Sequence, residues 1–330
     1  MHDLVTVIIP CYQQGRFLPE AVLSLQAQTH ANWEAIIVND GSTDATESVA
    51  RSLCSNEPRL RYLSKPNGGL SSARNAGLRI ATGGYIQLLD ADDRLDSRKF
   101  ERQLGVFFHH PEVSVVYGNA QYFSDGAFGE FRRSWRSDGP PDDWIVGRWS
   151  DPRPLLRKLV DGNLLPVCTP LLRRSLTELV GEFNEDLATN EDWEYWVRCA
   201  ALGAQFAFHD LAGTGSFIRV HDGCMTTNPQ RMQLGESLAR MSYHEILPPG
   251  DTREINLAHL LGYCYSPGEG GRCERYARLS QTCSARERCL VEISKLCDVG
   301  GRLSSIANRL GHRLPWRIRL RMTALGFGFC

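Results

Sequence analysis

The chain has 330 residues, 42% of them hydrophobic, and a net charge of −1 at neutral pH. This composition supports a catalytic domain of about 220 to 250 residues with an appendage, and it excludes a largely disordered chain. A net charge so close to zero argues against nucleic acid as a partner. The charge is unevenly placed, because the segment from Asp251 to Cys330 has 13 Lys and Arg against 7 Asp and Glu.

The 11 cysteines are scattered and include no Cys-x-x-Cys pair, so a structural zinc site is not supported. We expect reduced thiols in an intracellular protein. A strand begins at Leu4 with no signal peptide before it, and no run of about 18 apolar residues could span a bilayer. These features predict a cytoplasmic protein whose membrane association is at most peripheral, at the inner face.

Strand and helix patterns alternate through the first 120 residues. The predicted strands are 4–9, 33–38, 59–63, 85–89 and 113–117. The predicted helices between them are 17–28, a helix after residue 44, 70–82 and 96–110. This order is typical of an α/β fold with a Rossmann-like, mostly parallel sheet flanked by helices.

Three carboxylates, Asp90, Asp92 and Asp93, follow the predicted strand 85–89. Ligands of open α/β sheets bind outside the carboxyl ends of the strands, so these acids are expected to face a crevice. Asp90 and Asp92 would both point toward a hard cation such as Mg²⁺ or Mn²⁺. The alternative is a polar loop in which Asp92 or Asp93 caps the next helix.

A glycine pair, Gly68 and Gly69, precedes the predicted helix 70–82. The N–H groups at a helix N-terminus can bind anions, so the pair resembles a phosphate-binding loop. The pattern matches neither the P-loop nor the dinucleotide fingerprint, which weakens the kinase and dehydrogenase interpretations.

The segment from Asp125 to Arg153 is rich in Gly, Pro, Trp and charged residues and shows little periodicity. Long irregular segments in a compact domain are often substrate loops. Trp135, Trp144 and Trp149 would either present aromatic faces to sugar rings or pack this segment onto the domain.

Two later stretches contain polar residues of interest. Asn190 is a candidate N-cap for a helix that begins with Glu191 and Asp192 and continues with Trp193. Capping explains one acid there but not two. His221 lies in a turn-rich stretch, and a lone histidine is more often structural than a ligand.

The ordered set of motifs resembles the inverting family 2 glycosyltransferases of the GT-A fold, of the bacterial type. The matching segments are 7–12, 39–44, 69–75, 88–93 and 191–192. Each is weak alone, but their order and spacing are specific. The resemblance covers about residues 4–226. It implies a GT-A domain at 1–228, with a nucleotide-sugar half at about 1–120 and an acceptor half at about 121–228.

The resemblance implies a donor site for a nucleoside-diphosphate sugar, with a UDP-sugar as the first choice. The residues that it assigns to the donor are Pro10, Tyr12, Asp40, Gly69, Arg74, Asp90, Ala91 and Asp92. Tyr12 would stack on the base, and Asp40 would accept a hydrogen bond from the uracil N3–H. Arg74 would contact the donor or, alternatively, support the neighbouring carboxylates.

The implied cofactor is Mn²⁺ or Mg²⁺, which would neutralise the charge of the leaving diphosphate. Asp92 is the first candidate ligand. Asp90 would share the ion or contact the ribose of the donor. His221 would complete the metal shell or contact the diphosphate, although Mg²⁺ prefers oxygen ligands.

Asp192 is the implied catalytic base, and Glu191 and Trp193 would orient the site or contact the acceptor. An ordinary Asp has a pKa of about 3.9, so the proton of the acceptor hydroxyl would move late in the reaction. Two positions depart from the family pattern: Gln13 replaces a usual Asn, and Asn39 replaces a common Asp. They leave the base and donor preference open.

The C-terminal region, 229–330, is predicted to be helical and to end in a basic tail. From Gly300 onward there are six Arg and no acid, interleaved with apolar residues. The tail would lie on an anionic membrane surface or fold as a helical tail onto the domain. Pro315 interrupts any single long helix. The preceding helices could form an oligomer contact.

These features predict a metal-dependent inverting glycosyltransferase that moves a sugar from a UDP-sugar to a hydroxyl of a glycan or lipid-linked acceptor, in surface polysaccharide biosynthesis. The alternatives are a nucleotidyltransferase and a non-catalytic nucleotide-sugar-binding protein. The first lacks support from a Gly-rich, Lys-bearing triphosphate loop near the N-terminus. The second is disfavoured because all candidate acids are intact.

Overall fold

The computed structural model describes residues 3–132, 148–149, 151–163, 165–209 and 214–265. The chain divides into two compact units, Met1–Ala239 and Arg240–Cys330. The predictions for Trp135, Trp144 and the basic tail lie outside the described residues, and of Trp149 only the backbone is described.

The described strands alternate with helices through most of the chain. The strands are β1 Val5–Cys11, β2 Trp33–Asp40, β3 Leu60–Lys65, β4 Tyr85–Leu88, β5 Arg94–Leu95, β6 Val113–Tyr117, β7 Ala120–Ser124, β8 Arg148–Trp149, β9 Leu171–Arg173, β10 Gln205–Phe208 and β11 Ser216–Val220. The helices are α1 Leu18–Gln26, α2 Thr46–Asn56, α3 Leu70–Ile80, α4 Lys99–His109, α5 Pro152–Asp161, α6 Arg174–Val180, α7 Glu191–Ala201, α8 Pro229–His244 and α9 Asp251–Tyr265.

The main sheet has eight strands in the order β3-β2-β1-β4-β9-β6-β10-β8. The pairs β3–β2, β2–β1, β1–β4 and β6–β10 are parallel, whereas β9 is antiparallel to both of its neighbours. A second sheet of three strands has the order β5-β11-β7. The predicted α/β class, with a mostly parallel sheet and flanking helices, is therefore confirmed.

The core of the first unit is built around β1, whose seven residues are all buried. Val5, Val7 and Ile9 belong to one hydrophobic cluster with apolar residues of α1. Helix α3 approaches β1 closely at Gly77, where an added Cβ would lie 2.5 Å from the Ile8 Cγ2. Because β1, β2 and β4 are parallel neighbours, their carboxyl ends meet at one edge of the sheet.

The described part of the C-terminal region is helical, as predicted. Within the second unit, the Asn256 side chain in α9 donates to the Arg240 carbonyl at 2.9 Å and approaches the His244 Nδ1 at 3.1 Å. Asn256 and Arg240 are both fully buried, so polar contacts as well as apolar ones join the two helices here.

Candidate active site

A cavity of about 610 Å³ opens at the carboxyl edge of β1, β2 and β4. A volume of this size suits a ligand as large as a nucleotide sugar. Its walls include predicted donor residues from each of these strands or the loops after them, together with the turn after β11. The predicted donor residues that line it are Pro10, Tyr12, Asp40, Gly69, Asp90 and Asp92. Ala91 is buried beside them.

Asp40 ends β2 and organises the loop that follows β3. Its carboxylate accepts hydrogen bonds from the Lys65 Nζ at 2.5 Å, the Gly68 N–H at 3.0 Å and the Gly69 N–H at 2.8 Å. The two glycine N–H groups therefore point at Asp40 in this structure. Gly69 has a φ of +88°, which a residue with a Cβ rarely adopts, and this turn brings the chain into α3. Tyr12, which is half exposed, also lines the cavity.

The two departures from the family pattern have structural roles. Gln13 joins the loop after β1 to the turn after β2, because its amide donates to the Thr43 Oγ1 at 2.7 Å and accepts from the Asp44 N–H at 3.0 Å. Asn39 accepts from the Ser42 N–H at 2.9 Å and donates to the Tyr62 hydroxyl at 2.9 Å. Both side chains fix the loops that flank the cavity.

Arg74 lies behind the strand-end acids. It is 1% exposed, and its guanidinium donates to the Asp90 Oδ1 at 2.9 Å and to the Glu191 Oε1 at 2.5 Å. Of the two roles that the sequence left open, this geometry favours support of the carboxylates, and donor contact by Arg74 stays a prediction. Glu191 is 4% exposed, and its carboxylate is paired with Arg74. This geometry favours a role in orienting the site over contact with an acceptor.

Asp192 differs from the ordinary Asp that the sequence predicted. Burial and the adjacent charge of Glu191 together raise the pKa of Asp192 to about 7, although the charge of Arg74 opposes both effects. Its Oδ1 accepts the Trp193 N–H at 2.7 Å, and the Asn163 amide lies 3.4 Å from the same oxygen. A carboxylate with a pKa near neutrality is a stronger base than one with a pKa near ~3.9. The contact between Asn163 and Asp192 was not predicted, because an Asn in the turn after a helix does not indicate which distant residue it will contact.

Asn190 does not cap α7 as predicted, and Trp193 is buried. Asn190 precedes α7, but its backbone is left-handed with a φ of +59°, and its side chain donates to the Met232 carbonyl at 3.1 Å instead of capping the helix. Trp193 is 1% exposed and donates its indole N–H to the Leu159 carbonyl at 2.5 Å. It packs α7 against α5, so its burial favours orientation of the site, and contact with an acceptor stays a prediction.

Asp92 faces the turn after β11. Its Oδ2 lies 3.0 Å from the His221 Nε2, and ligand atoms of Asp92, His221 and Cys224 all lie within 4.8 Å of one another. The Asp92 carboxylate lines the cavity and is partly exposed, so its hard oxygens fit Mg²⁺ or Mn²⁺. Asp90 has one oxygen engaged by Arg74. Cys224 was not predicted as part of this group, although it follows His221 by only three residues in the sequence.

Asp93 and Arg219 form hydrogen bonds between the acidic loop after β4 and strand β11, which the sequence did not predict. The Asp93 carboxylate accepts the Arg219 N–H at 3.0 Å, and the Arg219 guanidinium donates to the Asp92 carbonyl at 3.0 Å. Burial, together with the charges of Asp92 and Asp90, raises the pKa of Asp93 well above its usual range. The side chain thus joins the acidic loop to β11 instead of capping a helix.

The sequence matches the family Glycosyl transferase family 2 over residues 6–180. The chain belongs to this family. It is 31% identical over 241 residues to an uncharacterized glycosyltransferase of Rickettsia typhi, a match that covers 71% of this chain and 69% of that protein. Other Rickettsia relatives are longer, and this chain spans about a third of their length. Residues 6–180 therefore form a glycosyltransferase family 2 domain.

Solved structures resemble the family 2 chain in fold. Staphylococcus aureus TarS 1–349 in complex with UDP-GlcNAc has a TM-score of 0.63 at 16% identity, and the match covers 93% of this chain and 92% of that one. A mannosyltransferase from Pyrobaculum calidifontis in complex with GDP-Man and Mn²⁺ has a TM-score of 0.52 at 18% identity, covering 88% and 84%. These likenesses establish the GT-A fold. Among the described residues, no helix combines the length and apolar character needed to cross a membrane.

Proposed function

We propose that this chain transfers a sugar from a UDP-sugar to a hydroxyl of a glycan or lipid-linked acceptor, with inversion and with a divalent metal ion. The observation that supports the proposal is the position of Arg74, which pairs with Asp90 at the donor cavity and with Glu191 beside Asp192. One buried cation thereby joins the candidate donor site to the candidate base.

The donor would lie in the cavity with its base between Tyr12 and Asp40. The Asp40 carboxylate accepts three hydrogen bonds from the protein and has about four lone-pair sites, so one site remains for a uracil N3–H. Tyr12 offers a half-exposed ring for stacking. The TarS complex with UDP-GlcNAc supports the choice of a UDP-sugar.

The diphosphate would face Asp92, and Asp92 would hold the metal ion. A bound Mn²⁺ or Mg²⁺ supplies Lewis-acid stabilisation of the leaving diphosphate. The complex of the Pyrobaculum mannosyltransferase with Mn²⁺ supports metal dependence. Asp90, held by Arg74, would share the ion or contact the ribose of the donor.

Asp192 would accept the proton of the acceptor hydroxyl. As that oxygen forms its bond to the anomeric carbon, the bond from this carbon to the diphosphate breaks, and the diphosphate leaves with the bonding electrons. Attack from the face opposite the leaving group inverts the anomeric centre. Glu191 and Arg74 would hold the N-terminus of α7 so that Asp192 keeps its position.

The catalytic domain in this proposal is 1–228, with the nucleotide-sugar half at about 1–120 and the acceptor half at about 121–228. The acceptor would be a precursor of a surface polysaccharide. Peripheral membrane contact would come from 300–330 at the inner face of the membrane. Removing 300–330 should lower binding to anionic liposomes at low salt, and unchanged binding would contradict this part of the proposal.

The test of the central proposal is UDP release from UDP-sugars with Mn²⁺, Mg²⁺ or EDTA. We expect metal-dependent release that increases when the correct acceptor is added. The Asp192→Asn variant should lose turnover by about 10²- to 10⁴-fold and keep its affinity for UDP. The exposed Glu112 provides a matched control, because Glu112→Gln makes the same chemical change away from the cavity.

Two results would favour the alternatives. Pyrophosphate formed from UTP and a sugar-1-phosphate would indicate a nucleotidyltransferase. UDP-sugar binding without metal-dependent release, for all donors and acceptors tried, would indicate a binding protein.

A further inference from the structure

A short turn leads from the wall of the cavity into the helix that contains the candidate base. Leu187 and Ala188 line the cavity, Asn190 ends the turn, and α7 begins with Glu191 and Asp192. We propose that Asn190 is a positioning residue for Asp192, because it ties the start of α7 to the first turns of α8. This proposal rests on the proposed function, in which Asp192 is the base.

The backbone of Asn190 is left-handed, with a φ of +59° and a ψ of +21°. Among the described residues other than glycine, Gln13 is the only other one with a positive φ. Residues with a Cβ rarely adopt this conformation, although Asn tolerates it better than most. Such strain persists only where the surroundings hold it, and it clusters at functional sites. At Asn190 the turn directs the chain into α7, and the Asn190 carbonyl accepts the Glu194 N–H at 3.1 Å in the first turn of the helix.

Hydrogen bonds to α8 hold this turn in place. The Asn190 Nδ2 donates to the Met232 carbonyl at 3.1 Å. The hydroxyl of Thr189, which is fully buried, donates to the Arg231 carbonyl at 3.4 Å. Two consecutive residues of the turn are therefore bonded to two consecutive carbonyls of α8, within the first unit.

A glycine allows α8 to approach the turn this closely. At Gly235, an added Cβ would overlap the Thr189 Oγ1 and would lie 3.0 Å from the Asn190 Nδ2. Any larger residue at this position would push α8 away from the turn. The contact between the turn and α8 therefore depends on the absence of a side chain at Gly235.

Asn190 is one of three residues next to Asp192 that tie α7 to other helices. Glu191 is paired with an arginine of α3, and the Trp193 indole donates to a carbonyl of α5. Asn190 adds the tie to α8. Asp192 thus lies in a segment that is held at three points. A misplacement of about 1 Å in a reacting group can lower a rate by about 10²-fold, so the loss of one tie should be visible in kcat.

Two substitutions separate the backbone of Asn190 from its side chain. Asn190→Gly keeps the left-handed turn and removes the tie to α8, whereas Asn190→Ala removes the tie and also disfavours the turn. We expect kcat for sugar transfer to fall by about threefold or more in Asn190→Gly and by about tenfold or more in Asn190→Ala, with UDP affinity within about twofold of the wild type. A purely structural role would lower the melting temperature and leave kcat of the folded enzyme unchanged. Wild-type kcat in Asn190→Gly, or equal losses of kcat and UDP affinity, would overturn the proposal.

Asn228 provides a matched control on the same helix. Its side chain accepts the Arg231 N–H at 3.0 Å and so caps α8 itself. Asn228→Ala should lower the melting temperature and leave kcat unchanged. A loss of kcat as large as that of Asn190→Ala would show that any loosening of α8 has this effect, and it would overturn the proposal.

Gly235→Ala tests the same contact from the side of α8. It should lower kcat as Asn190→Ala does, and its combination with Asn190→Gly should lower kcat by less than the product of the two single losses, because both act on one contact. Losses that multiply would contradict a shared contact. If Gly235→Ala did not fold, the two Asn190 variants would still decide the proposal.

Hydrogen exchange gives a measurement that needs no substrate. The Glu194 N–H should exchange about tenfold or more faster in Asn190→Ala and at the wild-type rate in Asn228→Ala. Unchanged exchange in Asn190→Ala would overturn the proposal. If the wild type transferred from no UDP-sugar, or if Asp192→Asn kept its turnover, the proposed function would fail, and the positioning of a base would fail with it. The exchange rates would still decide whether Asn190 holds the start of α7.

Discussion

The Arg74 Nη1 lies 2.5 Å from the Glu191 Oε1, although the two residues are 117 positions apart in the chain. The Nη2 atom of the same guanidinium donates to Asp90. Arg74 is on α3, Asp90 follows β4 and Glu191 begins α7, so one side chain fixes three elements relative to one another. A planar, forked cation can do this, whereas an ammonium group cannot hold two carboxylates in the same plane.

Replacement of Arg74 by Lys tests this geometry. The charge is kept, but one of the two carboxylates loses its partner, so we expect the rate of transfer to fall by about tenfold or more while UDP affinity changes little. Steady-state kinetics with varied acceptor would show the loss in kcat. Arg79→Lys provides the control, because Arg79 pairs with Glu182 on the exposed surface of the same helix. Equal rates for the Arg74 variant and the wild type would contradict a positioning role.

The pH dependence of the reaction should report on Asp192. The pKa of Asp192 is raised to about 7, and a general base acts when it is ionised. We therefore expect kcat to be low at pH values below about 7 and to increase as the pH rises through about 7. Glu191→Gln removes a like charge and leaves Arg74 less neutralised, and both changes favour ionised Asp192. The acidic limb of the profile should therefore move to lower pH. A limb that stays in place would show that another group controls it.

Asp192 should also make the fold less stable at high pH. A carboxyl group whose folded pKa is raised favours folding when protonated, so this stability is lost as the pH rises from about 4 toward the folded pKa of about 7. Asp192→Asn removes the cost of ionising a buried group. The variant should therefore melt at a higher temperature than the wild type at pH 8, and the difference should shrink at pH 5. A lower melting temperature at pH 8 would contradict the prediction.

The roles of Asp92 and Asp90 can be separated by thermal shift. Ligands that bind the folded state raise its melting temperature by mass action. UDP with Mn²⁺ should stabilise the wild type more than either does alone, and Asp92→Asn should lose this additional stabilisation. Asp90→Asn should keep part of it, because Asp90 is partly neutralised by Arg74. A variant at Asp92 that responds like the wild type would contradict its assignment as the ligand.

Substitutions at two helical glycines, Gly77 and Gly105, test how closely α3 packs on β1 in the first unit. A Cβ at Gly77 would lie 2.5 Å from the Ile8 Cγ2, whereas a Cβ at Gly105 in α4 would meet nothing within 4 Å. Gly77→Ala should lower the free energy of unfolding by about 1 to 3 kcal/mol through overpacking. Gly105→Ala should raise it by up to about 1 kcal/mol, because Ala is the better helix former. Urea denaturation measures both, and equal effects would contradict the close contact between α3 and β1.

The amino-acid sequence by itself determined the alternation of strands and helices, since the periods of apolar residues are local properties of the chain. It placed β1 through β4 and β6 within about two residues, and it put Asp40, Asp90 and Asp92 at strand ends that a parallel sheet must bring together. It did not predict β9, because three residues carry too little periodicity to distinguish a strand from a loop.

Tertiary structure decided what each polar group does, since hydrogen bonding and burial depend on neighbours distant in the chain. Burial at the start of α7 and the charge of Glu191 raise the pKa of Asp192 to about 7. Arg74 donates from its two Nη atoms to carboxylates from two other elements. Residue type and spacing cannot encode these contacts, because they exist only once the sheet has brought its strand ends to one edge.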